Sequence, residues 1–540
     1  SRGRRVQTQR CRGGELLTLP KGPGMVGSFA VERSDEELMD DSALLERQHG
    51  KASLAFVYLA FLFPAMAGFL FGYDIGSTSG AVRSLQLLVG FEAKGMWTSA
   101  ITSASLMGAT LGSVLAFWVG EPLGRRRELL VGSSLYLFGS LLCVAAPESG
   151  AAYGAVFAGR WLYGLGVAFS MHAAPVYISE MAPSAVRGML VGGKEGFIVG
   201  GILAGFAAAA VGEAALPATS VFRGVWALPV PISLVIFGGM WLMPPSPRWL
   251  LLRAASSSAR QDLEGSPVLD PGGRSAALAA LSRFRRGSSP SAVEAELVAI
   301  EATLAEVSVA RAGSWAEMLE SRRALLAGLG LISLQQLTGQ PSVLYYQDAI
   351  FRDAGFGDFA SKAGVLVGIA KLAATVCSVA AVDRFGRRPL LQVGIGMMAM
   401  ALLLLAVGFQ FKVPGEAPGE YVLPPGAWPP VVVVALMLYV CGYQVGFGPI
   451  AWLIISEVFP IKTRTRALSM AVTVNFGFNL LVTFLLSPLQ TALDALSPGR
   501  GSSYLFAIYA ALCLVSSTFV HACVPETKGK SLEQIEAMLR

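Results

Sequence analysis

The sequence carries the same charged motif once in each half of its 540 residues. Residues 121–126 read EPLGRR and residues 383–388 read DRFGRR, so an acid precedes a glycine and two arginines at the same spacing. A second motif also repeats at identical internal spacing: Ser179, Glu180, Pro183 and Arg187 in the first copy, and Ser456, Glu457, Pro460 and Arg464 in the second. Because each copy lies between long apolar stretches, the repeat predicts a membrane-embedded helical bundle built as two similar halves.

The composition excludes an ordinary soluble protein. Hydrophobic residues make up 54% of the chain, charged residues only 14%, and the mean hydropathy is +0.57. A helix needs roughly 20 apolar residues to cross the hydrocarbon core of a bilayer. Twelve segments meet this length and predict an all-α membrane protein: 54–82, 96–119, 128–146, 152–179, 188–211, 221–243, 323–351, 360–382, 389–410, 430–456, 465–490 and 503–524.

The segments fall into two sets of six, separated by a polar insert rich in Ser, Ala, Arg and Glu. Within the insert, residues 293–309 have apolar positions at helical spacing, which indicates an amphipathic helix under the bundle; a disordered linker is the alternative. The Arg-rich start of the chain fits the remainder of a transit peptide or a disordered tail. The predicted parts are a polar tail at 1–50, a six-helix domain at 51–243, a cytosolic linker at 244–321, a second six-helix domain at 322–526 and a short tail at 527–540.

Most arginines of the loops are expected on one side of the membrane, with the linker and both termini. Positive loops mark the cytosolic side, so the net charge of +6 is explained by topology and does not indicate nucleic-acid binding. Acids recur beside these arginines in both halves, so we expect ion pairs that latch the cytosolic side closed; orientation by positive charge alone is the alternative. The expected latch residues are Glu121, Arg125, Arg126, Glu180, Arg187, Asp383, Arg387, Arg388, Glu457 and Arg464.

Four further motifs accompany the repeats: PPSPR at 244–248, QQLTG at 335–339, GPIAW at 448–452 and PETKG at 525–529. Together these residues resemble the sugar porter family of the major facilitator superfamily over most of the chain. Within that family the chain is most similar to the plant and algal branch of xylose/proton symporter-like proteins.

The resemblance implies twelve transmembrane helices in two pseudo-symmetric six-helix domains, which rock to open a central sugar site to either side. It implies a multi-pass protein of the plastid envelope or the vacuolar membrane, with the plasma membrane as the alternative. It also implies a monomer in the lipid bilayer that uses the proton as its coupling ion, with no other cofactor and no metal.

One carboxylate lies deep in the first segment. Asp74 is the only charged residue between Lys51 and Arg83. An ionised carboxylate at that depth costs about 2.5–3.5 kcal/mol on insertion scales, so it is expected to be protonated or paired, and Arg160 in the fourth segment is the expected partner. Burial favours the neutral acid and a guanidinium favours the anion, so a change in their separation changes proton binding. In the family an acid here accompanies proton symport; a static salt bridge is the alternative.

Several amides are expected to form the sugar site. A sugar presents hydroxyls and an apolar ring face, which call for amides or carboxyls and an aromatic plane. Gly339 and Pro341 are expected to interrupt the seventh segment and turn its amides toward the cavity. A hydrogen bond between helices is the alternative for any single amide. By the resemblance, the site comprises Gln335, Gln336, Gln340, Trp452, Asn475 and Asn479, gated by Tyr345 or Tyr346.

Two positions depart from the family pattern. The position in the fifth segment that is commonly Gln is Glu195, which joins the expected substrate-binding set, and the position in the eighth segment that is commonly Asn is Lys371. Opposite charges near mid-membrane are individually costly, so we hypothesise that they neutralise each other across the halves. Lys194 is a rival partner for Glu195. These departures leave open a hexose, a pentose, a polyol or an acidic sugar as substrate.

Glycines recur every four residues in two segments. Gly68, Gly72, Gly76 and Gly80 in the first segment, and Gly192, Gly196 and Gly200 in the fifth, predict grooves that let neighbouring helices approach closely.

No nucleophile–base pair or phosphate-binding loop stands out, so we do not expect an enzyme. We expect a sugar/proton symporter for a hexose or pentose. A facilitator that uses the same site without protons is the nearest alternative, and a non-transporting sugar sensor is a more distant one.

Overall fold

The computed structural model describes residues 51–540 except 93, 259–270, 310–317, 320, 415–420, 425, 460, 531 and 540. The described chain is almost entirely helical. It contains one short antiparallel hairpin, in which β1 (Val413–Pro414) pairs with β2 (Tyr421–Val422). The predicted tail at 1–50 lies outside the described residues.

The N-terminal half consists of seven helices that cover the first six predicted segments. The sixth segment is divided at Leu228, directly before the helix that begins with Pro229. The helices are α1 (Lys51–Val89), α2 (Met96–Leu123), α3 (Arg125–Val144), α4 (Ala152–Met181), α5 (Ser184–Ala215), α6 (Val221–Ala227) and α7 (Pro229–Leu242).

The described part of the linker contains the helices α8 (Pro247–Ser258), α9 (Pro271–Phe284) and α10 (Pro290–Val309). The last of them is the predicted amphipathic helix, and its Leu297 packs with Leu281 in a small apolar cluster. Arg285 fixes the linker to the N-terminal half, because it bonds Glu296 of α10 at 2.7 Å and the carbonyl oxygen of Met181 at 3.0 Å.

The C-terminal half covers the other six segments, two of which are interrupted. Its helices are α11 (Arg322–Leu337), α12 (Gln340–Tyr345), α13 (Gln347–Asp353), α14 (Ala360–Phe385), α15 (Arg387–Gly408), α16 (Trp428–Val445), α17 (Phe447–Val458), α18 (Ile461–Leu496) and α19 (Gly501–Cys523). A final short helix, α20 (Leu532–Leu539), packs against α17.

Ten helical stretches among the described residues are long and apolar enough to cross a membrane. The two predicted segments outside this set are the fourth and the seventh. The fourth is the continuous 30-residue helix α4, which contains Arg160 and His172. The seventh is divided into α11, α12 and α13. The molecule is therefore an all-α membrane protein in which these two segments depart from a simple apolar span.

Glycines bring α1 and α5 into backbone contact, as the groove on the first segment predicted. A β-carbon on Gly72 would lie 1.8 Å from the carbonyl oxygen of Ile198, and one on Gly201 would lie 2.1 Å from that of Phe69. Neither contact leaves room for a side chain, so the two helices meet through their glycines.

The prediction of a glycine groove on the fifth segment was wrong. A β-carbon on Gly192, Gly196 or Gly200 would meet no other atom within 4 Å. The glycines of α5 that face α1 are Gly201 and Gly205. Because each residue turns a helix by about 100°, a four-residue repeat shows that a glycine face exists but does not show which neighbour covers it.

The two halves meet where α2 packs against α18 and α5 packs against α14, and where α1 contacts both α12 and α13. At one end of the first pair, the backbone N–H of Gly95 donates to Ser487 Oγ at 2.7 Å. The interrupted seventh segment therefore contributes α12 directly to the boundary between the halves.

Candidate functional site

The deep carboxylate of the first segment is held by a neighbouring cation. Arg160 Nη1 lies 3.0 Å from Asp74 Oδ1, and Ser105 Oγ donates to Asp74 Oδ2 at 2.6 Å. Asp74 is 5% exposed and Arg160 is 2% exposed, so the ion pair is closed off from solvent. Arg160 is therefore the partner of Asp74, as the sequence predicted. A small cavity beside the pair is also lined by Ser140 and Tyr163.

The other nitrogens of the Arg160 guanidinium hold this side chain in place through further hydrogen bonds. Its Nε donates to the carbonyl oxygen of Ile101 at 3.0 Å, and its Nη2 donates to that of Thr102 at 3.2 Å. The ring of Trp226 lies 5.1 Å from the guanidinium carbon. Because a buried cation is tolerated when its donors are satisfied, these contacts fix the arginine beside the carboxylate of Asp74.

The seventh segment is interrupted where Gly339 and Pro341 predicted. Gly339 adopts a φ of +90°, in the left-handed region, between α11 and α12. A β-carbon there would lie 2.5 Å from the ring of Tyr509, so glycine is required by both backbone conformation and space. The interruption frees backbone and amide groups inside the bundle, which is tolerated only where they line a cavity or find partners.

Two amides at the end of α11 join an amide of α18. Gln336 Nε2 donates to Asn475 Oδ1 at 2.6 Å, and Gln335 Nε2 donates to the carbonyl oxygen of Phe447 at 2.9 Å. The Oε1 atom of Gln336 is buried and has no hydrogen-bond partner among the described residues. A buried acceptor without a partner costs about 1–3 kcal/mol. This cluster therefore has hydrogen-bonding capacity available for a ligand.

The other expected sugar-site residues surround this cluster less closely. Asn479 is 6% exposed, and its Oδ1 accepts a long bond of 3.4 Å from Thr483. Gln340 is 8% exposed. Trp452 is half-buried in α17, six residues after the second interruption at Gly446. That interruption lies two residues before Gly448 of the GPIAW motif.

The two tyrosines of the seventh segment that are candidates for the gate both face the N-terminal half. The hydroxyl of Tyr345 lies 3.5 Å from Asp74 Oδ2, and the hydroxyl of Tyr346 lies 3.5 Å from Ser99 Oγ. They are 1% and 8% exposed. The residues that flank the amides thus contact the half that holds the buried carboxylate.

The hypothesised pair of Glu195 and Lys371 does not form an ion pair in this structure. The ammonium of Lys371 donates instead to Gln444 Oε1 at 2.7 Å and lies 4.9 Å from the ring of Tyr443. Gln444 in turn donates to Thr375 at 2.7 Å. The buried ammonium therefore donates to a neutral amide on a neighbouring helix of the same half, while Glu195 of the other half attracts it without forming an ion pair.

Ser105 and Gln444 were missed by the sequence analysis. Ser105 gives little signal, because a serine in an apolar segment usually bonds its own helix backbone. Gln444 gives more, since an amide inside an apolar span needs a partner. In the residues that the structure describes, no group of three or more His, Cys, Asp or Glu is placed to hold a metal ion.

The repeated motifs form one ion pair within each half. Arg125 Nη2 lies 3.3 Å from Glu180 Oε1, and Arg387 Nη2 lies 3.3 Å from Glu457 Oε1. In each half, the first arginine after the motif glycine binds the acid at the end of a later helix. The sequence repeat is therefore also a repeat of contacts.

The second arginine of each motif binds a helix end, and within the described part of the chain it forms no ion pair with an acid. Arg126 donates to the carbonyl oxygen of Met240 at 3.0 Å, whereas Arg388 donates to that of His521. The expected pairs of Glu121 with Arg125 and Arg126 are wrong, because Glu121 is exposed and its backbone carbonyl accepts from Trp249. Arg187 donates to a carbonyl oxygen of its own half, that of Ala182, at 3.4 Å. The side chains of Asp383 and Arg464 lie outside the described residues.

Ion pairs that join the two halves lie at the opposite end of the bundle. Arg352 contacts Glu213 of α5 at 3.2 Å, and the next residue, Asp353, contacts Lys94 of the α1–α2 loop at 3.2 Å. Lys412 also contacts Asp353, at 2.8 Å. Burial raises the pKa of the Asp353 carboxyl, but Lys412 and Lys94 outweigh that effect and hold the pKa below its ordinary value. We name Lys94, Glu213, Arg352 and Asp353 the inter-half clamp.

The chain matches the family model described as "Sugar (and other) transporter" over residues 60–539. It is 41% identical to "D-xylose-proton symporter-like 2" of Arabidopsis thaliana, over 95% of each chain. It is 42% identical to "D-xylose-proton symporter-like 3, chloroplastic" of the same plant, over 89% of this chain and 82% of the relative.

The fold is also similar to that of a solved structure, "The structure of the MFS (major facilitator superfamily) proton:xylose symporter XylE bound to 6-bromo-6-deoxy-D-glucose". The TM-score is 0.68 at 23% identity, and the match covers 90% of this chain and 100% of that one. At this identity the likeness shows the fold, which is that of the major facilitator superfamily. The family match extends over most of the chain, and the protein therefore belongs to the sugar (and other) transporter family.

Proposed function

We propose that the protein is a sugar/proton symporter for a hexose or pentose and works by alternating access. The observation that carries the proposal is the Asp74 carboxylate, buried with Arg160 and facing a tyrosine of the other half. A titratable acid at the boundary between moving halves binds or releases a proton as its surroundings change. The relatives named for xylose and proton symport support this proposal.

The sugar would bind at the amides of the C-terminal half. Gln335, Gln336 and Asn475 form an uncharged polar cluster, and Gln336 retains an unpartnered acceptor. Amides both donate and accept, as the hydroxyls of a neutral sugar require. We extend this set to Gln340, Asn479, Trp452 and Glu195 as further substrate contacts.

Alternating access would use the ion pairs at the two ends differently. The motif pairs of Arg125 with Glu180 and Arg387 with Glu457 lie within single halves, so they would stiffen each half as it rocks. The inter-half clamp joins the halves at the other end, so it would break when that end opens. We propose that the motif end faces the cytosol, because positive loops are retained there.

We propose the plastid envelope or the vacuolar membrane as the location, with the protein acting as a monomer in the bilayer. The relative named chloroplastic supports the first of these. Fluorescence localisation of the full-length protein in plant cells distinguishes the two membranes.

Transport by purified protein in liposomes tests the proposed function. With one proton carried per sugar, a gradient of one pH unit drives accumulation of up to about tenfold over the external level. We expect labelled xylose, glucose or galactose to accumulate, and a protonophore to collapse the accumulation. Equilibration without accumulation, for every sugar that is carried, would show a facilitator. No counterflow of any sugar or polyol in a wider panel would contradict transport of this class.

A further inference from the structure

Tyr345 connects the two sites that the proposed function requires. It is the last residue of α12, the short helix that follows the interruption at Gly339. Its side chain is 1% exposed, and its hydroxyl lies 3.5 Å from Asp74 Oδ2 on the other half of the bundle. At that length the hydrogen bond is at the limit of accepted geometry, so a small movement of either half makes or breaks it.

The contact depends on the charge of Asp74. Oδ1 of the carboxylate accepts a hydrogen bond from Arg160. Oδ2 accepts one from Ser105 at 2.6 Å and one from Tyr345 at 3.5 Å. An ionised carboxylate only accepts hydrogen bonds, and bonds to an ionised acceptor are the stronger ones. When the carboxyl is protonated, one of its oxygens becomes a donor. If that oxygen is Oδ2, the hydroxyl of Tyr345 can no longer donate to the same site and has to accept instead.

The helix that carries Tyr345 belongs to the sugar site. It begins with Gln340, and α11 with Gln335 and Gln336 precedes it directly. Ser342, in the middle of α12, donates to the carbonyl oxygen of Val482 at 2.9 Å on α18. Since α18 also carries Asn475, α12 is attached to the amide cluster and moves with it.

We propose that the Tyr345 hydroxyl makes sugar binding depend on the proton of Asp74. This inference rests on the proposed function and assigns Tyr345 as a positioning residue. When Asp74 is ionised, the hydroxyl holds α12 against the N-terminal half. When Asp74 is protonated, α12 is released and the amides adjust to the sugar. By reciprocity, bound sugar favours protonation of Asp74 to the same extent.

The test compares Tyr345→Phe with Tyr346→Phe. Each variant removes one hydroxyl that reaches across the halves at 3.5 Å, but only the hydroxyl of Tyr345 contacts a titratable group. The readout is the pH midpoint of sugar counterflow in liposomes without a pH gradient. A hydrogen bond to the charged form favours that form. Its loss in Tyr345→Phe is therefore expected to move the midpoint to higher pH by about 0.5–1 unit, which corresponds to about 0.7–1.4 kcal/mol.

The midpoint of Tyr346→Phe is expected to match that of the wild type. In an Asp74→Asn background, adding Tyr345→Phe is expected to cause no further change in counterflow, because the hydroxyl acts through the carboxylate. If transport by a variant is too slow, sugar-induced thermal stabilisation at several pH values gives the same midpoint. An unchanged midpoint in Tyr345→Phe, or equal shifts in both variants, overturns the inference.

The proposed function fails separately. If Asp74→Asn still accumulates sugar against its gradient, proton coupling through Asp74 is refuted. If Asp74→Asn loses accumulation while Tyr345→Phe keeps the wild-type midpoint, only the role of Tyr345 is refuted.

Discussion

The two halves of the bundle bury different kinds of polar side chain. In the N-terminal half the buried polar contacts include two between an acid and a base, Asp74 with Arg160 and Glu128 with His172. In the C-terminal half they are mainly amides, and even the buried ammonium of Lys371 is held by an amide. Because the repeated motifs form matching contacts in both halves, the difference lies in the interior and not in the framework. Under the proposed function, the N-terminal half would exchange protons and the C-terminal half would bind the hydroxyls of the sugar.

The largest expected effect is on the charged pair of the N-terminal half. Arg160→Gln leaves the carboxylate of Asp74 buried without its cation, and loss of one member of a buried pair costs about 3–5 kcal/mol. We expect a large drop in the thermal unfolding midpoint in detergent. The double variant Asp74→Asn with Arg160→Gln is expected to recover most of that loss. If Arg160→Gln alone changes the free energy of unfolding by less than about 1 kcal/mol, the ion pair is not closed off from water.

The next effect concerns Lys371, a buried charge of the C-terminal half that is held by an amide. Gln444→Leu removes the acceptor of the Lys371 ammonium, and a hydrogen bond to a charged group is worth about 1.5–3 kcal/mol. We expect destabilisation of that order, which Lys371→Met in the same chain restores. Glu195→Gln is the matched comparison. If it destabilises more than Gln444→Leu, and if Lys371→Asn rescues it, then the ion pair across the halves forms after all.

A smaller effect is expected at the amide cluster. Gln336→Leu removes the donor to Asn475 and an acceptor that has no partner in the protein. Loss of one hydrogen bond of about 0.5–1.5 kcal/mol raises KM for the sugar by about two- to tenfold. The proton-to-sugar ratio is expected to stay the same, as measured by accumulation at a fixed pH gradient. A reduced ratio at unchanged KM would break the division of roles between the halves.

The smallest effect is expected at the inter-half clamp. Asp353→Asn removes the contacts of one partly exposed carboxylate with Lys94 and Lys412, and a partly exposed ion pair is typically worth up to about 1 kcal/mol. Because the folded pKa of Asp353 is lowered, its stabilisation is present at neutral pH and lost only as the pH falls below the ordinary value of about 3.9. The difference in unfolding midpoint between Asp353→Asn and wild type is therefore expected to be constant from pH 7 to 5. If the difference in unfolding midpoint disappears between pH 7 and 6, the pH-dependent stabilisation comes from a group other than Asp353.

Sequence reasoning succeeded where a polar residue had few possible partners. Asp74 stands alone in an apolar segment, and Arg160 was the natural cation to meet it, so the pair followed from the cost of a bare charge. The interruption at Gly339 was equally constrained, because a proline two residues later removes a backbone donor. The family motifs extended this reasoning to the overall fold.

Sequence reasoning failed where several partners competed. Lys371 has a long, flexible side chain and found Gln444 on a neighbouring helix of its own half, although Glu195 carries the opposite charge. Glu121 lies beside Arg125 in the sequence, yet Arg125 binds Glu180. Which partner a basic side chain contacts depends on how far neighbouring helices are rotated and shifted relative to its own helix. The spacing of residues along one helix does not determine this.

Proton movement with the sugar tests the central claim most directly. In weakly buffered liposomes, addition of a carried sugar to the wild type is expected to make the external medium more alkaline, because protons enter with it. Asp74→Asn is expected to exchange sugar by counterflow and to give no sugar-evoked change in external pH. If Asp74→Asn gives the wild-type alkalinisation per sugar carried, the account of coupling through this carboxylate is contradicted.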